Sequence, residues 1–320
     1  MYKYLLLCIM MVLTIKIAQA KSQHLRLAGP AAVVSYPLMV MAEQQTLAAA
    51  NLKFSFTRWK NPDQLRAMVI GEQIDFSAMP SNLAAIFFNK GHELTLLNIS
   101  IWNIMDIVSR DKTISTLSQL IGQEVVVPFK NDMPTIILQQ LLQGQLQAKA
   151  KQVRIRHSHN LADAAQLLLA GKVQHALLIE PLSSSVLFQN AQQGNAPLTR
   201  VINISEQWRN TFPESPKLPQ AGIIANTTVN DNKVLISAVN DAYKTAAKWC
   251  EANVNSCADI VKKHLPKMPK AALITAIENT RVTPVNSLTA KADIQAFYKL
   301  LSKVDVKRIG GKQPNNRFYF

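Results

Sequence analysis

From Leu25 onward the chain alternates short β-rich runs with helix-length stretches, and it does so in two successive cycles. The first cycle has strand patterns over 25–28, 52–58 and 74–78, with helical patterns over 37–50, 63–70 and 81–89. A strand, a helix-length crossover and a further strand specify a parallel sheet, because parallel neighbours cannot be joined by a tight turn. Strands over 93–98 and 105–109 then lead to the polar junction Arg110-Asp111-Lys112. The second cycle has strands over 124–127, 152–156 and 175–179, and helices over 117–122, 135–143 and 161–170. Strands over 200–204 and 221–225 precede a helical remainder over 232–253, 258–264, 270–280 and 291–301.

A chain of 320 residues exceeds what one core usually serves, and 48% hydrophobic residues supply two. The expected architecture is α/β and two-lobed, with mostly parallel sheets flanked by helices. Lobe one is expected over 21–109 and 205–320, and lobe two over 110–204. Crossings near Arg110 and Ile204 would leave a ligand cleft between the lobes.

The first 20 residues read as a signal peptide: Lys3, an apolar run from Tyr4 to Ile15, and Ala18-Gln19-Ala20 as the cleavage site. The run is too short to span a bilayer, which needs about 20 residues. A periplasmic protein beginning at Lys21 is expected. Its loss of Lys3 and Lys16, with no acid, takes the formal charge from +15 to +13. The basic residues are scattered, in runs no longer than Lys262-Lys263, and no aromatics are interleaved with them. That pattern speaks against nucleic acid and for a solvated basic surface, with a lesser lean toward an anionic ligand. Beyond the signal only Cys250 and Cys257 remain, on either side of Asn253 and Asn255. In an oxidising compartment they are expected to form a disulfide across a helix hairpin. His157-Ser158-His159 puts two imidazoles on one side of a strand without a third ligand, so neither a metal nor a cofactor is expected.

Several segments, in order, resemble the periplasmic solute-binding proteins of nitrate, sulfonate, taurine and thiamine-precursor importers. They are Leu25-Arg26-Leu27-Ala28-Gly29-Pro30, then Gly71-Glu72-Gln73-Ile74-Asp75-Phe76, then Ser118-Gln119-Leu120-Ile121-Gly122, then Leu169-Ala170-Gly171-Lys172-Val173-Gln174-His175-Ala176, and finally Glu180-Pro181. The resemblance implies a type 2 periplasmic binding fold. It also implies a monomeric receptor that closes its lobes on a small molecule and docks on an inner-membrane ABC permease. Departures at Gln44–Gln45, where the family has glycine, and at His175, where it has an acid, keep a substrate from being carried over.

In open parallel sheets ligands bind beyond the carboxyl ends of the strands, where helix N-termini present free N–H groups. The loops so placed supply Ser35, Tyr36, Ser81, Asn82, Trp102, Asn131, Asp132 and Glu180 as candidate ligand contacts. Each has a plainer alternative: Ser35, Ser81 and Asn131 as helix caps, Tyr36 and Trp102 as core, Glu180 as a hinge or cap. No catalytic residues are expected, since G-x-S-x-G, G-x-G-x-x-G and the P-loop are all missing from the sequence. The alternatives to transport are a periplasmic sensor or accessory protein on the same scaffold, and a pyrimidine-synthase-like enzyme.

Overall fold

A computed structural model describes residues 22–320. The signal peptide expected over 1–20 lies outside the described residues.

The chain runs β1 (Gln23–Gly29), α1 (Tyr36–Gln44), β2 (Leu52–Arg58), α2 (Pro62–Ile70), β3 (Phe76–Pro80), α3 (Ser81–Asn89), β4 (Thr95–Leu96), β5 (Asn98–Ile99) and β6 (Met105–Ser109). It continues with β7 (Glu124–Pro128), α4 (Met133–Leu146), β8 (Arg154–Ser158), α5 (Leu161–Leu169), β9 (His175–Ile179), α6 (Leu182–Gln192), β10 (Thr199–Asn203) and α7 (Ile204–Thr211). It ends with β11 (Ala221–Ala225), α8 (Lys233–Ala252), α9 (Val254–His264), α10 (Lys270–Asn279), β12 (Val285–Asn286) and α11 (Lys291–Val304).

Two five-stranded sheets result, in the orders β2-β1-β3-β11-β4 and β10-β6-β9-β7-β8. In the first, β1 runs parallel to β2 and β3, and β11 returns antiparallel between β3 and β4. In the second, β7 is parallel to β8 and β9, while β6 and β10 are antiparallel additions. β6 thus belongs to the second sheet, whereas 105–109 was expected in lobe one; the outward crossing is at 102–104. Its partner β9 decides this, a pairing that no local pattern encodes.

Side-chain alternation in β7 shows how the second sheet is buried on both faces. Val125 and Val127 join a large apolar cluster with Leu27, Met79 and Ile223 of the first sheet, while Val126 packs with Ala164, Leu168 and Val186 on the other face. The large cluster is continuous between lobes through Ile137 and Leu141 of α4 and Trp208 of α7, whose ring lies 5.4 Å from that of Phe297. At the outer edge of the second sheet, β8 exposes Arg154 and Arg156, charges that discourage pairing with another chain.

The far edge of the first sheet is completed from a distance. Leu96 bridges Tyr319, Phe320 donates its N–H to the Leu96 carbonyl (3.2 Å), and Leu288 donates to the Phe320 carbonyl (3.3 Å). Beside it, a Cβ on Gly222 would stand 1.7 Å from the Asn98 carbonyl oxygen, so β11 can lie there only with glycine at this position.

The helix expected over 37–50 stops at Gln44. Gln45 is left-handed (φ 48°), and its side chain donates to and accepts from the Phe54 backbone (2.9 and 3.0 Å). The expected Cys250–Cys257 disulfide is present, and Asn253 separates α8 from α9 there. No helix among the described residues is long and apolar enough to cross a membrane.

Candidate functional site

The two crossings run side by side. Ser205 Oγ donates to the Trp102 carbonyl (3.0 Å), Asn203 Nδ2 to Asn103 Oδ1 (3.1 Å), and Gln220 Nε2 to Ser205 Oγ (3.2 Å). Next to them, where the carboxyl end of β9 meets the end of α10, lies a cavity of about 220 Å³. Asn103, Ile104, Asp106, Glu180, Arg200, Asn203, Asn279 and Thr280 line it. α10, a first-lobe helix by sequence, packs here against α6 of the second, so both lobes form the wall.

Three charged side chains face one another in this wall. Glu180, 2% exposed, accepts from the Ser184 N–H (3.1 Å), the Ser184 hydroxyl (3.0 Å) and Arg200 Nη2 (2.5 Å). Arg200 Nη2 also donates to Ser184 Oγ (2.7 Å). Asp106 lies opposite Asn203 in the β6–β10 ladder; its Oδ1 accepts from Asn203 Nδ2 (3.0 Å), and Oδ2 stands 3.5 Å from Arg200 Nε. Burial raises the Asp106 pKa and Glu180 adds to this, while Asn203 and Arg200 oppose it. Tyr36 is close enough that Glu180, after burial itself, helps hold its phenol well above the ordinary value. The Glu180–Pro181 bond is cis.

The structure spreads the eight candidate contacts over several environments. Glu180 lines the cavity, whereas Trp102, one residue before the lining residue Asn103, does not, and its indole N–H donates to the Thr283 carbonyl (3.1 Å). Ser35 and Tyr36 are buried at the start of α1, and neither hydroxyl has a partner among the described residues; Ser35 makes no cap bond. Ser81 donates instead to the Pro219 carbonyl (2.6 Å), in the proline-stiffened return segment, and Asn82 donates to the Arg308 carbonyl (3.2 Å). Asn131 is exposed. Asp132 receives Arg66 Nη2 at 3.1 Å, an ion pair joining α2 of one lobe to the start of α4 of the other; burial raises its pKa and Arg66 counters that.

Asp106 and Arg200 were not among the sequence candidates. They lie inside strands, and they meet only because β6 and β10 pair across a register shift between Arg200 and Ile202. Among the described residues no three His, Cys, Asp or Glu side chains converge as a metal site would require.

This arrangement, two mixed α/β sheets joined by paired crossings with a polar cavity at the junction, is the periplasmic binding-protein fold. An ABC transporter protein from Parabacteroides distasonis superposes with a TM-score of 0.74 at 20% identity, over 92% of this chain and 98% of that one. The periplasmic nitrate-binding protein NrtA from Synechocystis PCC 6803 gives 0.70 at 14% identity, over 90% and 82%. The alkanesulfonate-binding protein SsuA from Xanthomonas axonopodis pv. citri, bound to MOPS, gives 0.67 at 15% identity, over 94% and 97%. No protein-family model matches the chain, and no curated protein matches it in sequence.

Proposed function

We propose that this protein is the periplasmic solute-binding component of an ABC-type importer, and that it captures a small molecule in the cavity at the lobe junction without chemical conversion. The observation that carries this reading is the polar cavity built by both lobes beside the paired crossings, in a fold shared over nine-tenths of the chain with ABC-importer binding proteins. Asn103, Asp106, Glu180, Arg200 and Thr280 are the proposed contacts, with Tyr36 behind Glu180. Ligand-linked closure would involve the Arg66–Asp132 pair across the lobes, and the closed form would dock on a membrane permease. Both cysteines among the described residues are bridged, which disfavours a thiol-based enzyme.

Thermal-shift screening of the purified protein against nitrate, sulfonates, pyrimidines, amino acids and metal ions tests the proposal. A true ligand at a hundred times its Kd stabilises by about 2.7 kcal/mol, which is a readily measured shift. The second reading, a sensor or accessory protein, is favoured by the apolar cluster that runs unbroken between lobes and restrains their opening. Failure of every small molecule to stabilise the protein would select it.

A further inference from the structure

The protein as a whole is strongly basic, but its cavity is not. Of the lining residues, Asp106 and Glu180 carry formal negative charges and Arg200 the one positive charge, so the wall has a formal surplus of −1. The hydrogen bonds decide where that surplus resides. Arg200 gives its terminal nitrogen to Glu180 (2.5 Å) and Ser184 (2.7 Å), so its short hydrogen bonds all lie on the Glu180 side. Both oxygens of Glu180 are in turn hydrogen-bonded, Oε1 by Arg200 and the Ser184 hydroxyl and Oε2 by the Ser184 N–H. Asp106 has one neutral donor, Asn203, on Oδ1, while Oδ2 accepts no hydrogen bond and has only a long ion pair with Arg200 Nε at 3.5 Å, so Arg200 offsets the Asp106 charge from a distance. An acceptor atom of a buried carboxylate therefore remains open at the cavity wall, in a low-dielectric setting where a charged partner counts for more than in water.

We propose that the cavity selects a small solute carrying a protonated amine, received by Asp106 Oδ2, and discriminates against anions of the same size. This rests on the solute-binding reading above and deepens it. The side-chain amide of Asn103 and the Thr280 hydroxyl, on the same wall, supply neutral hydrogen bonds for the remainder of such a molecule. The volume, about 220 Å³, suits a metabolite of few heavy atoms rather than a drug-sized ligand. The scattered surface lysines and arginines do not reverse this preference, because solvent screens charges beyond about 10 Å while the wall residues touch the solute.

Isothermal titration calorimetry with four-carbon probes of similar size separates the possibilities: 1-aminobutane, 1,4-diaminobutane, butan-1-ol and butane-1-sulfonate. The expected result is that both amines bind at least about tenfold more tightly than the alcohol or the sulfonate, the size of one charge-assisted hydrogen bond. Asp106→Asn should erase that difference while preserving the circular dichroism spectrum. Asp106→Ser serves the same purpose if the asparagine variant folds poorly, and the ranking by the unaltered protein needs no variant. Tighter binding of butane-1-sulfonate, or binding of nitrate or a pyrimidine with no amine bound, overturns the amine assignment and leaves the receptor reading standing. Silence toward these probes and toward every solute of the wider screen overturns both.

Discussion

Asp75 offers the sharpest test of how the first lobe is held. Its carboxylate, 5% exposed, accepts from the Arg26 backbone N–H (2.7 Å), Arg26 Nε (3.1 Å), Arg26 Nη2 (2.7 Å) and the Thr228 hydroxyl (2.8 Å). One side chain thus joins β1, the entry to β3 and the segment after β11. Asp75→Asn keeps the shape, removes the charge and turns an amide N–H₂ toward donors. Arg26, with its side chain 42% exposed, and Thr228 regain water, so only part of the four bonds is lost. The buried Arg26 backbone N–H and the forfeited charge assistance leave a net cost of about 3 kcal/mol. With a urea m-value of about 3 kcal/mol/M, the unfolding midpoint should fall by about 1 M. The acid behaviour is a second check. Burial alone would raise the Asp75 pKa, but the bonds from Arg26 and Thr228 outweigh it and hold the carboxyl below its ordinary 3.8. Because the folded value lies below the unfolded one, the stabilisation is full above about pH 4 and is lost as pH falls through the depressed value. Urea titrations of both proteins at pH 7 and pH 3 measure the gap. A gap under about 1 kcal/mol at pH 7, or one of equal size at pH 3, refutes the reasoning.

Three further outcomes follow from particular contacts. Gly222→Ala should prevent accumulation of folded protein or cost more than about 4 kcal/mol by urea unfolding, because the new Cβ meets backbone at Asn98 rather than a yielding side chain. Reduction of Cys250–Cys257, which closes a loop with a sequence separation of 7, should destabilise by about 2 to 3 kcal/mol, read as a calorimetric midpoint lower by about 5 °C. Asp106→Asn should gain stability relative to the unaltered protein as pH rises from 3.8 through the raised pKa of this buried carboxyl, then hold that difference; a pH series of melting curves records it.

The sequence made the two-lobed α/β plan legible because β7 and its neighbours are apolar runs bounded by turn residues, and such runs need a sheet covered on both faces. It concealed what depends on tertiary contact. Ser183, Ser184 and Ser185 lie in α6, all buried, with Ser184 bonded to Glu180, a placement that three small polar residues in a row do not announce. α7, by contrast, carries a local signal: Asn203 stands three residues before Glu206, whose N–H donates to the Asn203 side chain (2.9 Å). Asp106 and Arg200 offered none, since what sets them together is a strand register across some ninety residues of chain. Loop position was enough to put Glu180 on the cavity wall. It was not enough to foresee that the Pro219 carbonyl would already occupy the Ser81 hydroxyl.

The first sheet's distant completion bears on the order in which the molecule is assembled. The second sheet is drawn from one unbroken stretch, β6 to β10, and can form as soon as that stretch is available. The first cannot: β11 must insert between β3 and β4 after the whole second lobe has passed, and Tyr319 and Phe320 then close onto Leu96. Contacts of such long range are slow to form. Through that interval β3 presents an unpaired edge where β11 belongs, and this slot, rather than either finished surface, is where a chaperone or a second unfinished copy would pair with the chain.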